Sequence, residues 1–140
     1  MKSVERTIER FHRDRLRVTP QRRVIFELLV DDETHPTADE IYQRVLNQLP
    51  DVSCTTVYNT LHELVALGEL SPVEGLGDDG TRYDTNTDDH HHLYCLRCHA
   101  VVDVDRSFEG LELEAAERAG YQTVRKRVTF YGYCPECQDA

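Results

Sequence analysis

The chain has 140 residues, 39% hydrophobic and 30% charged, with a formal net charge of −10. That length fits one domain or two small ones. No apolar run approaches the roughly 18 residues of a membrane span, and Met1-Lys2-Ser3-Val4-Glu5-Arg6 lacks the apolar core of a signal peptide, so a cytoplasmic protein is expected. The acidic balance argues against nucleic acid until its distribution is read. Residues 1–23 carry eight Lys/Arg against three acids, a segment of +5, leaving −15 on the rest. A basic end on an acidic body is compatible with DNA contact at that end.

Residues 4–15 read as a polar helix. Thr19-Pro20-Gln21 opens a second, with a polar N-cap and proline at the first helical position. Its apolar stripe is Val24, Ile25, Leu28 and Leu29. The run 31–36 breaks it, and Thr37-Ala38-Asp39-Glu40 is a capping box for a third helix. Ile41, Tyr42, Val45 and Leu49 supply its buried face. Ser53 caps a fourth helix that stops near Gly68, with Val57, Leu61, Leu64 and Val65 inward and Tyr58, Asn59 and His62 elsewhere. Tyr58 reads equally as core or as DNA-facing. Two short strands, about 69–74 and 81–84, flank the Gly-rich run 75–80. Helices followed by such a hairpin describe a winged helix, in which the helix at 53–67 would enter the major groove.

The second half changes character. Residues 90–95 and 100–105 read as strands, 107–119 as a helix ended by Gly120, and 121–131 as a long strand. The boundary between halves falls near 83–89. The expected fold is α+β: a winged-helix DNA-binding domain (1–82), a hinge (83–89) and a small α/β dimerisation domain with an antiparallel sheet (90–140).

Two constellations carry chemistry. Cys95, Cys98, Cys134 and Cys137 form two Cys-x-x-Cys pairs. Four thiolates can close a tetrahedral shell around structural zinc and leave no position for a substrate. Paired cysteines in a reducing compartment favour metal over disulfide. The fifth, Cys54, reads as a buried or partly buried small residue. The second set has no sulfur. His90 and His92 are two apart, on one side of a strand; Asp103 lies in the neighbouring strand, and Asp84 ends the wing. His91 faces the other way and reads as a non-ligand. Nitrogen and oxygen donors suit iron(II) or manganese(II), and zinc stays possible from affinity order. His35 sits at a helix entrance, and spacing alone does not bring it to the others.

Taken together, Arg17-Val18-Thr19-Pro20-Gln21-Arg22, His35-Pro36-Thr37-Ala38, Thr55-Thr56-Val57-Tyr58, Arg82-Tyr83-Asp84, Asp89-His90-His91-His92 and the Cys pairs resemble the ferric uptake regulator (Fur) family over nearly the whole chain. The resemblance implies a homodimeric, metal-dependent repressor that binds an inverted-repeat operator. It implies zinc on Cys95, Cys98, Cys134 and Cys137, and a regulatory metal bridging the two domains through His35, Asp84, His90, His92 and Asp103. It puts Tyr58 on bases and basic residues of the first helices on phosphate; the DNA-facing set is Arg17, Arg22, Ser53, Thr55, Thr56, Tyr58 and Asn59. Asp103, in place of Glu, and Asn59 look like the peroxide-responsive (PerR) branch, where iron(II) at the regulatory site reacts with hydrogen peroxide and a ligand histidine is oxidised. His35 and His90 match the oxidised positions. The sequence departs from the family pattern at His99, where glycine is usual. It departs again at Arg125 and Lys126, where a histidine often serves a third metal site, which is therefore not expected. The alternatives are an iron-status regulator of uptake genes, a non-haem iron(II) metalloenzyme, and a zinc-stapled interaction module.

Overall fold

In the computed structural model, residues 1–73, 80–88 and 90–139 are described. The chain divides into two compact units, Met1–Thr87 and Asp88–Ala140. In the first, α1 (Val4–Arg13), α2 (Pro20–Leu29), α3 (Ala38–Gln48) and α4 (Cys54–Ala66) precede β1 (Ser71–Val73) and β2 (Arg82–Asp84). Each helix begins at a hydroxyl N-cap: Ser3, Thr19, Thr37 and Ser53 each accept from the backbone N–H three residues on. The capping box expected at Thr37 and Glu40 is formed in both directions.

The apolar stripes of the four helices meet in one core. Phe11, Ile25, Phe26, Leu29, Ile41, Val45, Val57, Leu61 and Leu64 are essentially inaccessible. Phe11 packs edge-on against Phe26, ring centroids 4.9 Å apart. A large side chain buried in this way contributes on the order of 2 kcal/mol. Strands β1 and β2 pair antiparallel, with Ser71 opposite Asp84. Residue 74 of the expected first wing strand, and 75–79 of its turn, lie outside the described residues, as does Asp89.

The second unit is a three-stranded sheet in the order β4–β3–β5: β3 (His91–Cys95), β4 (Val101–Val104) and β5 (Thr129–Gly132). The pairing is antiparallel between β3 and β4 and parallel between β3 and β5. The sheet is therefore mixed, because the long segment 105–128 returns the chain to the opposite edge of β3. Two expected elements differ. No helix spans 107–119: residues 115–120 form turns, with a single i→i+4 bond from Arg118 N–H to the Glu114 carbonyl. Leu111 and Leu113 stay about half exposed, and a short helix without an apolar partner is marginal. The strand expected over 121–131 begins only at Thr129, just after Val128, whose carbonyl accepts the His92 N–H of β3 at 3.1 Å. Cys54 is a further correction. It is exposed at the first position of α4, a turn that faces away from the core.

Candidate metal centres and nucleic-acid interface

The four-cysteine cluster is assembled by the parallel pairing of β3 and β5, which sets Cys95 opposite Gly132. Cys95 is the last residue of β3; Cys98 follows in a turn closed by His99 N–H on the Cys95 carbonyl at 2.9 Å. Cys134 follows β5, and Cys137 N–H closes its turn on the Cys134 carbonyl at 2.9 Å. All four Sγ atoms lie within 4.8 Å of one another, and Cys98 and Cys134 are 3.8 Å apart, too far for a bond. A tetrahedral ion at about 2.3 Å from each sulfur requires sulfurs about 3.8 Å apart. The cluster therefore fits zinc by donor type and spacing.

The backbone biases one member of this cluster, Cys95, toward thiolate. The N–H groups of Cys134 and then Cys98 point at Cys95 and bring its thiol down to about 5. Cys137, bonded chiefly to Cys134, is pushed up to about 12. One thiolate forms readily and the set as a whole resists collecting negative charge, which a dication relieves. Arg97 ties the two knuckles together: it donates to the Cys137 carbonyl at 2.8 Å and lies 5.4 Å over the Tyr133 ring.

Of the sulfur-free residues, His35 and Asp84 belong to the first unit. Tyr83 N–H bonds the Pro36 carbonyl at 2.9 Å, and Thr37 bridges to Arg82. This lays β2 beside the loop before α3 and sets His35 Nε2 3.2 Å from Asp84 Oδ2, both side chains buried. Asp32 fixes the same loop, accepting from Thr34 and Arg44 through its carboxylate and from Thr85 through its carbonyl. Burial pushes the Asp32 carboxyl up, but these bonds outweigh it and hold it below its ordinary value.

In the second unit the β3–β4 register sets His92 opposite Asp103. Asp103 Oδ1 lies 3.2 Å from His90 Nε2 and 3.3 Å from His92 Nε2, with the two rings edge to face. His90 Nδ1 is 2.6 Å from the Asp88 carbonyl. A carbonyl only accepts, so in the neutral ring Nδ1 carries the proton and the lone pair sits on Nε2, the nitrogen that faces Asp103. A ring lone pair and a carboxylate oxygen repel unless a proton or a cation lies between them. The donor set therefore fits a cation of the iron(II) or manganese(II) kind. His91 behaves as expected of a non-ligand: its Nδ1 accepts Val128 N–H at 2.8 Å and its ring stands on Phe108.

The DNA-facing candidates lie on α4 and its N-cap, on α2 (Arg22) and in the segment before α2 (Arg17). Ser53 Oγ caps Thr56 N–H, Thr55 and Asn59 are exposed, and Tyr58 is half-buried. Arg17 is exposed. Arg22 is committed within the unit: it pairs with Glu63 at 2.7 Å, donates to the Arg17 carbonyl at 2.9 Å and lies over Phe11. Asp32, Arg97 and the Asp88 carbonyl were not singled out from the sequence. All three stand in loops or turns, where no periodic spacing marks them.

A helical head with a two-stranded sheet, a four-cysteine knuckle and a His/carboxylate cluster is the arrangement of a metal-dependent DNA-binding regulator. The chain belongs to the ferric uptake regulator family, whose pattern matches residues 13–131. It is 35% identical over 137 residues to the peroxide-responsive repressor PerR of Staphylococcus aureus, covering 97% of this chain and 92% of that protein. A PerR from Streptococcus pyogenes, solved for its peroxide sensing and gene regulation, superposes with a TM-score of 0.57 and 33% identity over 99% of this chain and 95% of that one. The ferric uptake regulator of Helicobacter pylori gives a TM-score of 0.81 at 23% identity over 99% and 96%, a likeness of fold.

Proposed function

We propose that this regulator represses transcription when its regulatory site is filled and releases its operator on exposure to hydrogen peroxide. The observation that carries the reading is Asp103 Oδ1 facing the Nε2 atoms of both His90 and His92. Two imidazoles and a carboxylate without sulfur favour iron(II) or manganese(II) over a permanently held zinc. The similarity to PerR of Staphylococcus aureus supports peroxide as the signal.

In this reading residues 1–82 are the DNA-binding lobe, 83–89 the hinge and 90–140 the dimerisation domain of a cytoplasmic homodimer. Cys95, Cys98, Cys134 and Cys137 hold structural zinc. His35 and Asp84 contribute to the same ion as His90, His92 and Asp103. An ion with ligands in both units binds best where the two sets meet, so occupancy shifts the population toward that arrangement. Two lobes so fixed match the half-site spacing of an inverted repeat. Ser53, Thr55, Thr56, Tyr58 and Asn59 face the groove. Arg17 and Arg22 serve phosphates, Arg22 by exchanging Glu63 for a phosphate oxygen.

Iron(II) held there would supply the electron that cleaves the peroxide O–O bond, as manganese(II) would not, and the net change would be a two-electron oxidation of one histidine ring balanced by reduction of one peroxide to water. The protein's part is to aim the ligands. The Nδ1 proton of His90, given to the Asp88 carbonyl, fixes Nε2 as donor. Adding oxygen to the ring of His35 or His90 removes that donor and weakens the site. Among the described residues no helix is long and apolar enough to cross a membrane.

The test is DNA binding by zinc-loaded protein filled with manganese(II) or iron(II), before and after a brief peroxide pulse. Loss of binding in the iron form alone, with one added oxygen on the peptide carrying His35 or His90, is the expected result. Equal binding by both forms after peroxide rejects peroxide sensing and leaves an iron-status regulator.

A further inference from the structure

Tyr58 lies on α4, the helix assigned above to the major groove. Its ring packs against the core, and its hydroxyl donates to Asp39 Oδ1 at 2.9 Å. That bond raises the Tyr58 hydroxyl above its ordinary pKa, with smaller contributions from burial and the charge of Asp39. Asp39 is exposed at the second position of α3. A negative charge beside a DNA-facing residue repels phosphate. Its favourable place near a helix N-terminus explains its tolerance there but not its bond to Tyr58.

A phenol has one O–H, and a carboxylate can only accept. While the bond to Asp39 stands, the Tyr58 oxygen presents lone pairs alone. It cannot then donate to a phosphate, to guanine O6 or N7, to adenine N7 or to thymine O4. In the major groove the only donors are the exocyclic amino groups of adenine and cytosine.

We propose that Asp39 is a specificity-determining residue: by taking the phenolic proton it makes Tyr58 an obligate acceptor that selects an exocyclic amino group in each operator half-site. The proposal rests on the repressor reading. Asp39 acts through Tyr58 and touches no base.

The experiment uses full-length, manganese-loaded protein and an inverted-repeat duplex that it selects from a randomised library. Each adenine of a half-site is replaced in turn by the purine lacking its 6-amino group, and each cytosine by the pyrimidine lacking its 4-amino group. Affinity is read by fluorescence anisotropy for the unsubstituted protein, Asp39→Ala, Asp39→Asn, Tyr58→Phe and Asp39→Ala with Tyr58→Phe. One such replacement should weaken the unsubstituted protein by roughly two- to tenfold, the range of a single hydrogen bond. Asp39→Asn keeps an acceptor and should keep this discrimination. Asp39→Ala and Tyr58→Phe should lose it, and Asp39→Ala should lower it no further once Tyr58 is Phe. The two Asp39 variants remove the same charge, so equal behaviour by both would mean simple electrostatics and overturn the proposal. Absence of any discriminating amino group overturns it too, as does its persistence in Asp39→Ala. Failure of the unsubstituted protein to select a duplex with manganese(II) overturns the repressor reading itself, and the proposal with it.

Discussion

His99 occupies a left-handed position, φ 63°, where the family usually has glycine. Such a backbone costs a side-chain-bearing residue about 1 kcal/mol. The His99 ring lies nearly parallel to that of Tyr94, 5.9 Å away, which offsets the cost. His99→Gly should therefore stay within about 1 kcal/mol of the parent in urea unfolding with zinc present. His99→Ala keeps the strain, loses the stack and should be the less stable variant by about 1 kcal/mol; since neither variant keeps the ring, the reverse order would mean that the left-handed backbone carries no cost. Asp32 gives a second residue-scale expectation. Its folded pKa is depressed, so its contribution is present above the unfolded value and disappears as pH falls through the folded one. Asp32→Asn should lose up to about 1 kcal/mol at neutral pH, a figure reduced for solvent screening of the Arg44 pair. The difference from the parent should begin to shrink below about pH 4 and vanish only below the depressed folded value, in paired unfolding curves. A constant difference across that range would assign the loss to packing.

At the scale of elements, local chemistry sets the helix starts. Thr19, Thr37 and Ser53 are legible as caps because a hydroxyl stands just before an apolar stripe of helical period. Ser53→Ala removes the acceptor for Thr56 N–H, 3.1 Å away, and should lower stability by about 1 kcal/mol. Chemical unfolding followed by helical circular dichroism checks this, and an unchanged midpoint would mean water replaces the cap. The second unit was less legible. Ala115, Ala116 and Ala119 favour a helix intrinsically, yet the segment carries only turns, with Ala119 at φ 48°. Propensity is a weak prior where Leu111 and Leu113 stay about half exposed.

For the whole molecule, two ligand sets of different chemistry imply two separable losses. Cys134→Ser removes one of four thiolates and should lose zinc, with a lowered unfolding midpoint, because metal binding is folding free energy where the site is made only on folding. His90→Ala should keep one zinc per chain by elemental analysis and lose metal-activated DNA binding. If both variants lose zinc and DNA binding alike, the division into a structural and a regulatory site fails.

What the sequence by itself determined is whatever depends on residue type and short spacing: the caps of α2–α4, most of their inward stripes (Phe26 of α2, fully buried, was not read as inward), the Cys pairs, and the His90/His92 alternation. The contrast between a sulfur-only and a sulfur-free candidate set was legible for the same reason, since such sets suit different ions. Tertiary structure alone decided which ligands face each other. Asp84 reaches His35 because β2 bonds the Pro36–Thr37 segment, Asp103 reaches both histidines through the β3–β4 register, and Cys134 reaches Cys95 because β5 runs parallel to β3. It likewise decided that Arg22 is held by Glu63 and that Asp39 takes the Tyr58 proton. These pairings join residues far apart in the chain, and they follow from register and packing, which no local pattern encodes.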